Sequence, residues 1–274
     1  MSDGWIRVTK TKPCAICKKP DWCTLSADGA VACCMRVESK HQMKNSGYLH
    51  RITEAPKARP RSEVQRPPKP QPAPPDWNAM LPVFSELVDP DALTALAQSL
   101  GLTMESLDQL DIGWRGDCWT FPMYDSKRNC VGVRTRFPDG QKRSIPGTHQ
   151  GLFIPRNRKE GPLLFTEGPT DCAALRDLGF DSIGRPSCYG CEEWCSELAR
   201  GRAVGIIADN DDAGNRGANR LAQAIRKSVY SVKVIHPPYT KDARAWKLAG
   251  ATRESIVARL TAIREFHPLL KGKP

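Results

Sequence analysis

No stretch of this 274-residue chain approaches the roughly 18 consecutive apolar residues of a membrane span, and Met1-Ser-Asp-Gly-Trp5 lacks the apolar core of a secretory signal. These two absences argue against a membrane protein and an exported one, and they predict a cytoplasmic protein. No internal repeat is detectable, which argues against a solenoid or a propeller. Acidic residues are the scarcer charge: 30 Asp+Glu face 41 Lys+Arg, leaving a formal net charge of +11 and a pI near 9.2. An anionic partner follows, and a polyanion such as nucleic acid is the commonest one. The excess is uneven, because Met1 to Pro75 carries +8 of the +11. An electrostatic docking surface is therefore expected in the first quarter of the chain.

Cysteine is what the chain has in plenty. Eleven cysteines in a reducing compartment read as metal ligands or buried thiols rather than disulfides. Apolar residues all but vanish between Ala55 and Pro75, where eight prolines alternate with charges. Such a segment forms an extended, semi-stiff spacer. The expected order is a cysteine-rich module over residues 1–54, a proline-rich linker over 55–76, a mixed α+β subdomain over 77–160 and an α/β domain over 161–274. About fifty residues cannot hold a core alone, so the first module needs a metal as its staple.

Periodicity supplies the elements. Leu93, Leu96, Ala97 and Leu100 recur at helical spacing within a helical stretch running from Trp77 to about Leu110, broken by Gly101, with a second short helix near Met104–Leu110. Trp119–Tyr124 and Asn129–Phe137 flank the polar turn Asp125–Arg128 and read as a hairpin. Alternation along its second strand puts Arg134 and Arg136 on one face, opposite Val131, Val133, Thr135 and Phe137. From Pro162 onward, strands Leu163–Thr166, Ser182–Gly184, Val204–Ala208 and Val232–His236 alternate with helices Thr170–Leu178, Glu192–Arg200, Ala213–Lys227 and Thr252–Phe266. That alternation predicts βαβ units and a largely parallel sheet, with reactive groups at the carboxyl ends of its strands.

Acids stand at those ends. Glu167 ends one strand, Gly168 turns the backbone, and Asp171 opens the next helix. Asp209 and Asp211 follow the apolar run Ile206-Ile-Ala208 and project to one side, while Lys241-Asp242 follows the last strand. Acids converging at a sheet rim repel one another unless a divalent cation sits among them. Magnesium, which takes oxygen ligands and keeps exchangeable waters, is the natural occupant, with manganese as an alternative.

In this order the acids resemble the TOPRIM domain of bacterial and phage primases, topoisomerases and some nucleases. Glu167, Asp209 and Asp211 match its glutamate and Asp-x-Asp pattern, Asp212-Ala-Gly214 is similar to the extension found in primases, and Lys241–Trp246 is similar to the lysine-aspartate motif of phage primases. The resemblance implies magnesium held by Asp209, Asp211 and Asp242, with Glu167 organising the site or assisting proton transfer, and Lys241 among the catalytic groups.

A second resemblance is to the N-terminal zinc module of primases, carried by Cys14-Ala-Ile-Cys17 followed by Cys23, Cys33 and Cys34. It implies a zinc-ribbon-like fold and a ligand set of Cys14, Cys17, Cys23 and Cys34, with Cys33 in place of Cys34, or His41 in place of Cys23, as alternatives. Cys188, Cys191 and Cys195 lack a fourth ligand and read as buried thiols. Arg134, Arg136, Lys142 and Arg143 occupy the place where these primases line a cleft for template and nucleoside triphosphates.

The function these resemblances imply is primer synthesis: ribonucleotides joined on single-stranded DNA, with a helicase or replisome protein acting in trans. A TOPRIM nuclease, and a non-catalytic DNA-binding adaptor that uses zinc and basic residues alone, are the rival readings.

Overall fold

The computed structural model describes residues 5–43, 47–52 and 75–263. All but the last two residues of the expected linker, and the end of the expected last helix from residue 264, lie outside the described residues. The chain divides into two compact units, Met1–Pro70 and Gln71–Pro274.

The smaller unit is a four-stranded antiparallel sheet in sequential order, β1 (Trp5–Arg7), β2 (Thr24–Ser26), β3 (Val31–Cys34) and β4 (Tyr48–Arg51). Its interior is small and sulfur-rich: Val8, Leu25 and Ala32 pack against Cys14, Cys23 and Cys34. Strands this short leave too little apolar area to offset the entropy of ordering the chain. What this unit has instead is a group of free cysteines at its centre.

The larger unit opens with three helices, α1 (Trp77–Glu86), α2 (Pro90–Leu100) and α3 (Met104–Asp108). The helical reading from Trp77 onward is thus split. Asp89 caps α2 by accepting from the Asp91 amide, and Pro90 at the first turn has no N–H to continue α1. Gly101 ends α2 at φ 64°, as its position suggests. An antiparallel sheet follows, β5 (Gly113–Trp114), β6 (Trp119–Tyr124), β7 (Cys130–Arg136) and β8 (Lys142–Ser144). The hairpin of β6 and β7 matches the alternation in the sequence. The strand β8 was not legible, since Lys142-Arg-Ser144 is exposed throughout and carries no apolar period.

The parallel sheet comprises β9 (Leu163–Glu167), β10 (Asp181–Arg185), β11 (Ala203–Ile207) and β12 (Ser231–Ile235) in the order β10-β9-β11-β12. Alternate residues face opposite cores. Leu163, Phe165, Val204 and Ile206 pack with Ala218, Leu221 and Ile225 of α6 (Asp212–Ile225) and Cys195 of α5 (Glu192–Leu198). Leu164 and Ile207 pack on the other side with Leu175 of α4 (Gly168–Asp177), Trp246 of α7 (Ala243–Leu248) and Ile256 of α8 (Arg253–Ala262). Both faces are covered, hence the near-continuous apolar strands.

Helix α4 also contacts the first half of this unit, where Cys172, Ala173 and Ala174 join a core with Leu93, Leu107 and Phe121. The bridges Tyr124 to Leu152 and Phe153 to Gly184 tie the two sheets together. No helix among the described residues is long and apolar enough to cross a membrane.

Candidate active site and cysteine cluster

Strand order fixes where the reactive groups meet. The chain leaves β9 for β10 on one side, then crosses to β11 on the other, so the connections diverge between β9 and β11. In open α/β sheets this divergence opens a crevice at the carboxyl ends of the strands. Glu167 ends β9 on one side of the crevice, and Asp209 follows β11 on the other. Asp211 is the N-cap of α6, its Oδ1 accepting from the Gly214 amide at 2.7 Å, and Asp242 is the N-cap of α7, its Oδ1 accepting from Ala245 at 2.7 Å. Each keeps its second oxygen outside the cap. The N-termini of α4, α6 and α7 converge here, a field that favours anionic groups.

Two local features bring the acids together. Gly214 packs so tightly on the preceding turn that a Cβ would lie 2.6 Å from the Asp209 carbonyl oxygen, so the helix can start here only with glycine. Asn210 latches the loop after β12: its side-chain amide donates to the carbonyls of Pro237 and Thr240, and its backbone N–H donates to the Lys241 carbonyl at 2.8 Å. Motif Asp209-Asn-Asp211 thereby carries Lys241-Asp242 into the crevice.

The acids repel one another. Burial, then the charges of Glu167, Asp242 and Asp211, push the Asp209 carboxyl up to about 7, and its buried Oδ1 has no hydrogen-bond partner. Glu167 is also held above the ordinary range, mainly by burial, against the pull of Arg185. Asp171, four residues on along α4, is buried and raised by desolvation and by Asp242, while its Oδ1 accepts from the Arg244 amide at 2.8 Å. Asp171 therefore belongs to this group, as its place after Glu167 in the sequence suggests, although it was not among the residues expected to hold magnesium.

These features fit a divalent cation: raised carboxyl pKa values, an orphaned oxygen and an excess of acids in one crevice. The donors are spread out. Among the described residues, the only set of three or more metal-ligating residues whose ligand atoms lie within 4.8 Å of one another is a cysteine set. Magnesium suits such spacing, because it binds through one or two carboxylates and fills its remaining positions with water or phosphate oxygens.

A basic face lies opposite. Lys142 pairs with Arg136 across β7 and β8. Its pKa is lowered by desolvation, then by Arg136, while Asp171 raises it and Lys241 lowers it, so Lys142 lies within electrostatic reach of the acids. Arg134 and Arg136 are likewise lowered by desolvation, and Arg244 adds to the effect at Arg136. Arg143 departs from the expected group of four. It pairs with Thr135 on the other face of the sheet and stacks over Phe137 at 4.9 Å. One residue of register along β8 makes the difference.

Sequence reasoning also missed Arg185. It is the register partner of Glu167 on β10 and is almost fully buried, and its Nε has no partner. Only the strand pairing shows it.

In the smaller unit, one sulfur each from Cys14, Cys17, Cys23 and Cys34 lies within 4.8 Å of the others. The sulfurs of Cys17 and Cys23 are 3.7 Å apart and those of Cys23 and Cys34 4.0 Å, close to the separation of about 3.8 Å that zinc–sulfur bonds of about 2.3 Å require in a tetrahedron. Amides of Met35 and Val37 donate to the sulfurs of Cys23 and Cys34 at 3.4 Å, the support that thiolate ligands need. Three of the thiols are pushed apart: against desolvation, hydrogen bonds hold Cys17 low, while desolvation raises Cys23 and Cys34. A cation resolves that conflict, and the donor set fits zinc. Cys33 stays outside the set, since successive residues of β3 point to opposite faces. His41 stays outside it too. Cys188, Cys191 and Cys195 form no such group among the described residues.

No family model and no curated protein matches this sequence. Solved structures do resemble the fold. The E. coli primase catalytic core is 17% identical with a TM-score of 0.53, covering 68% of this chain and 79% of that one. A DnaG primase catalytic domain bound to single-stranded DNA is 17% identical with a TM-score of 0.53, covering 67% and 78%. The primase fragment of the bacteriophage T7 primase-helicase protein is 18% identical with a TM-score of 0.50, covering 93% and 99%. The chain has the fold of these primase cores.

Proposed function

We propose that this chain is a DNA primase, a nucleotidyltransferase that makes short RNA primers on single-stranded DNA. The observation that carries the reading is the crevice itself: acids from β9, β11 and the loop after β12 meet beneath the basic face of β7 and β8. Glu167, Asp209, Asp211 and Asp242 would hold magnesium, with Asp171 behind them. Bound there, the metal supplies alignment of a ribose 3′-hydroxyl with an α-phosphate and neutralisation of the departing pyrophosphate.

The protein groups do the rest by positioning. Arg134, Arg136 and Lys142 present fixed cations to triphosphate and template backbone, contacts that place a strand without reading it. Lys241, latched by Asn210, adds a cation at the edge of the acids. The cysteine-ligated zinc unit contacts template, and residues 55–76 tether it so that its local concentration at the template stays high. One primase catalytic domain of this fold has been solved bound to single-stranded DNA, and another is a fragment of a primase-helicase protein, which supports DNA and a helicase as partners. Arg143, on the far face of the sheet, is left for contacts outside the crevice.

Primer synthesis tests the reading. Purified protein with magnesium, four ribonucleoside triphosphates and single-stranded DNA is expected to make short labelled RNA. Glu167→Gln should abolish synthesis and leave DNA binding intact. DNA cut by the wild type, with no RNA made, would replace the proposal with a nuclease.

A further inference from the structure

An aromatic side chain stands on a strained turn beside the cysteine cluster. The Cys23 amide donates to the Asp21 carbonyl at 2.8 Å, closing a three-residue turn whose central residue, Trp22, has φ 65°. A γ-turn of this hand is rare and strained, and a bulky residue at positive φ is uncommon anywhere. No packing offsets the cost, because Trp22 is 76% exposed.

The turn is nevertheless held at both ends. Arg36 donates to the Asp21 carbonyl at 3.0 Å and to Asp21 Oδ1 at 2.9 Å, and the same guanidinium faces the sulfurs of Cys17 and Cys23 at 3.9 Å. Cys23 is buried in the cluster. A metal in the cluster would stiffen this base further. Strain that is held on one side and left unpacked on the other marks a residue kept for a contact outside the chain.

Charge says what kind of contact. Lys18 and Lys19, both exposed, precede the turn with only Pro20 between, and Arg36 lies behind it. The first 75 residues together carry a net +8. A rigid indole face set among cations suits an unpaired nucleobase, stacked on the ring while its phosphates meet the lysines. A protein partner would gain less from that charge.

We infer that Trp22 is a stacking platform for one unpaired base of the single-stranded template. The inference rests on the nucleic-acid role proposed above and adds to it the residue that grips the strand at the cysteine unit.

The test uses the full chain loaded with zinc, in magnesium-free buffer without nucleotides, and measures anisotropy of a labelled oligothymidylate. Trp22→Ala should weaken binding about 5- to 100-fold with an unchanged salt slope, since no phosphate contact is lost. Trp22→Phe should keep most of the affinity. Trp22→Gly relieves the turn, so it should lose affinity like Trp22→Ala yet retain zinc against a chelator at least as long as wild type.

Wild-type affinity in Trp22→Ala would overturn the inference. So would equal losses in Trp22→Phe and Trp22→Ala, or zinc retention falling together with affinity in Trp22→Gly, because each indicates a structural role or a different partner. Binding without primer synthesis keeps the two readings separable: a Trp22-dependent protein that makes no RNA removes only the primase proposal, and a primase indifferent to Trp22 removes only this one.

Discussion

Asp209→Asn separates what the acid cluster costs the fold from what it does for catalysis. Asp209 is raised from the ordinary aspartate value of 3.8 to about 7, first by burial and then by Glu167, Asp242 and Asp211. A carboxyl raised in the folded state stabilises the fold fully below its unfolded pKa, and that contribution is lost as pH rises through the folded value. The window thus runs from about pH 4 to about pH 7. At about 1.4 kcal/mol per pH unit this interval sets a ceiling of about 4 kcal/mol for ionising Asp209 in metal-free protein. The side chain is only partly buried, and solvent screening reduces the figure to about 1–2 kcal/mol.

The substitution removes the charge and keeps the shape. In chelator at about pH 8, Asp209→Asn should therefore melt about 2–8 °C higher than wild type, given about 2–4 °C per kcal/mol for a unit of this size. At about pH 5, where Asp209 already carries its proton, the gain should be smaller. Added magnesium should raise the wild-type Tm at the higher pH and leave the variant nearly unmoved. A variant that melts lower than wild type in chelator, or gains equally at both pH values, would refute the picture of mutually repelling acids awaiting a cation.

Other outcomes follow from the same contacts. Cys34→Ser should lose zinc and unfold the smaller unit, whereas Cys33→Ser should bind one zinc per chain as wild type does; metal analysis and circular dichroism distinguish them. Asp181 is fully buried and is met by Arg158 at 2.8 Å, Arg202 at 2.6 Å and Arg176 at 3.7 Å. Asp181→Ala should cost about 3–5 kcal/mol in urea unfolding, because it leaves three guanidinium groups without their counter-charge.

Much of this arrangement was legible in the sequence because it rests on local rules. Apolar runs ending in Glu167 and in Asp209-Asn-Asp211 announce parallel strands with acids at their carboxyl ends, and alternation along Asn129–Phe137 separates Arg134 and Arg136 from the core face. The resemblance to a zinc module likewise nominates Cys14, Cys17, Cys23 and Cys34, but leaves Cys33 and His41 open as replacements. The choice of Cys34 over Cys33 follows from strand alternation once β3 is known, but β3 is too short to announce itself.

What stayed hidden depends on tertiary register. Arg143 changes faces because of how β8 pairs with β7, and Arg185 meets Glu167 only through strand pairing. The break at Asp89-Pro90 is a cap followed by a first-turn proline, and a reading of one helical stretch from Trp77 to about Leu110 passed over it. Asn210 looks like a spacer between two aspartates, yet it is the latch on the Lys241 loop, since the carbonyls it holds come from a segment about thirty residues away.

Manganese binding followed by electron paramagnetic resonance tests most directly whether the distant acids act as one site. Titrated into wild-type protein with a ribonucleoside triphosphate, Mn2+ should be taken up with an affinity that rises between about pH 6 and pH 8 as Asp209 ionises, and Glu167→Gln and Asp209→Asn should each weaken that uptake. Uptake unchanged in both variants would place the metal elsewhere and contradict the account.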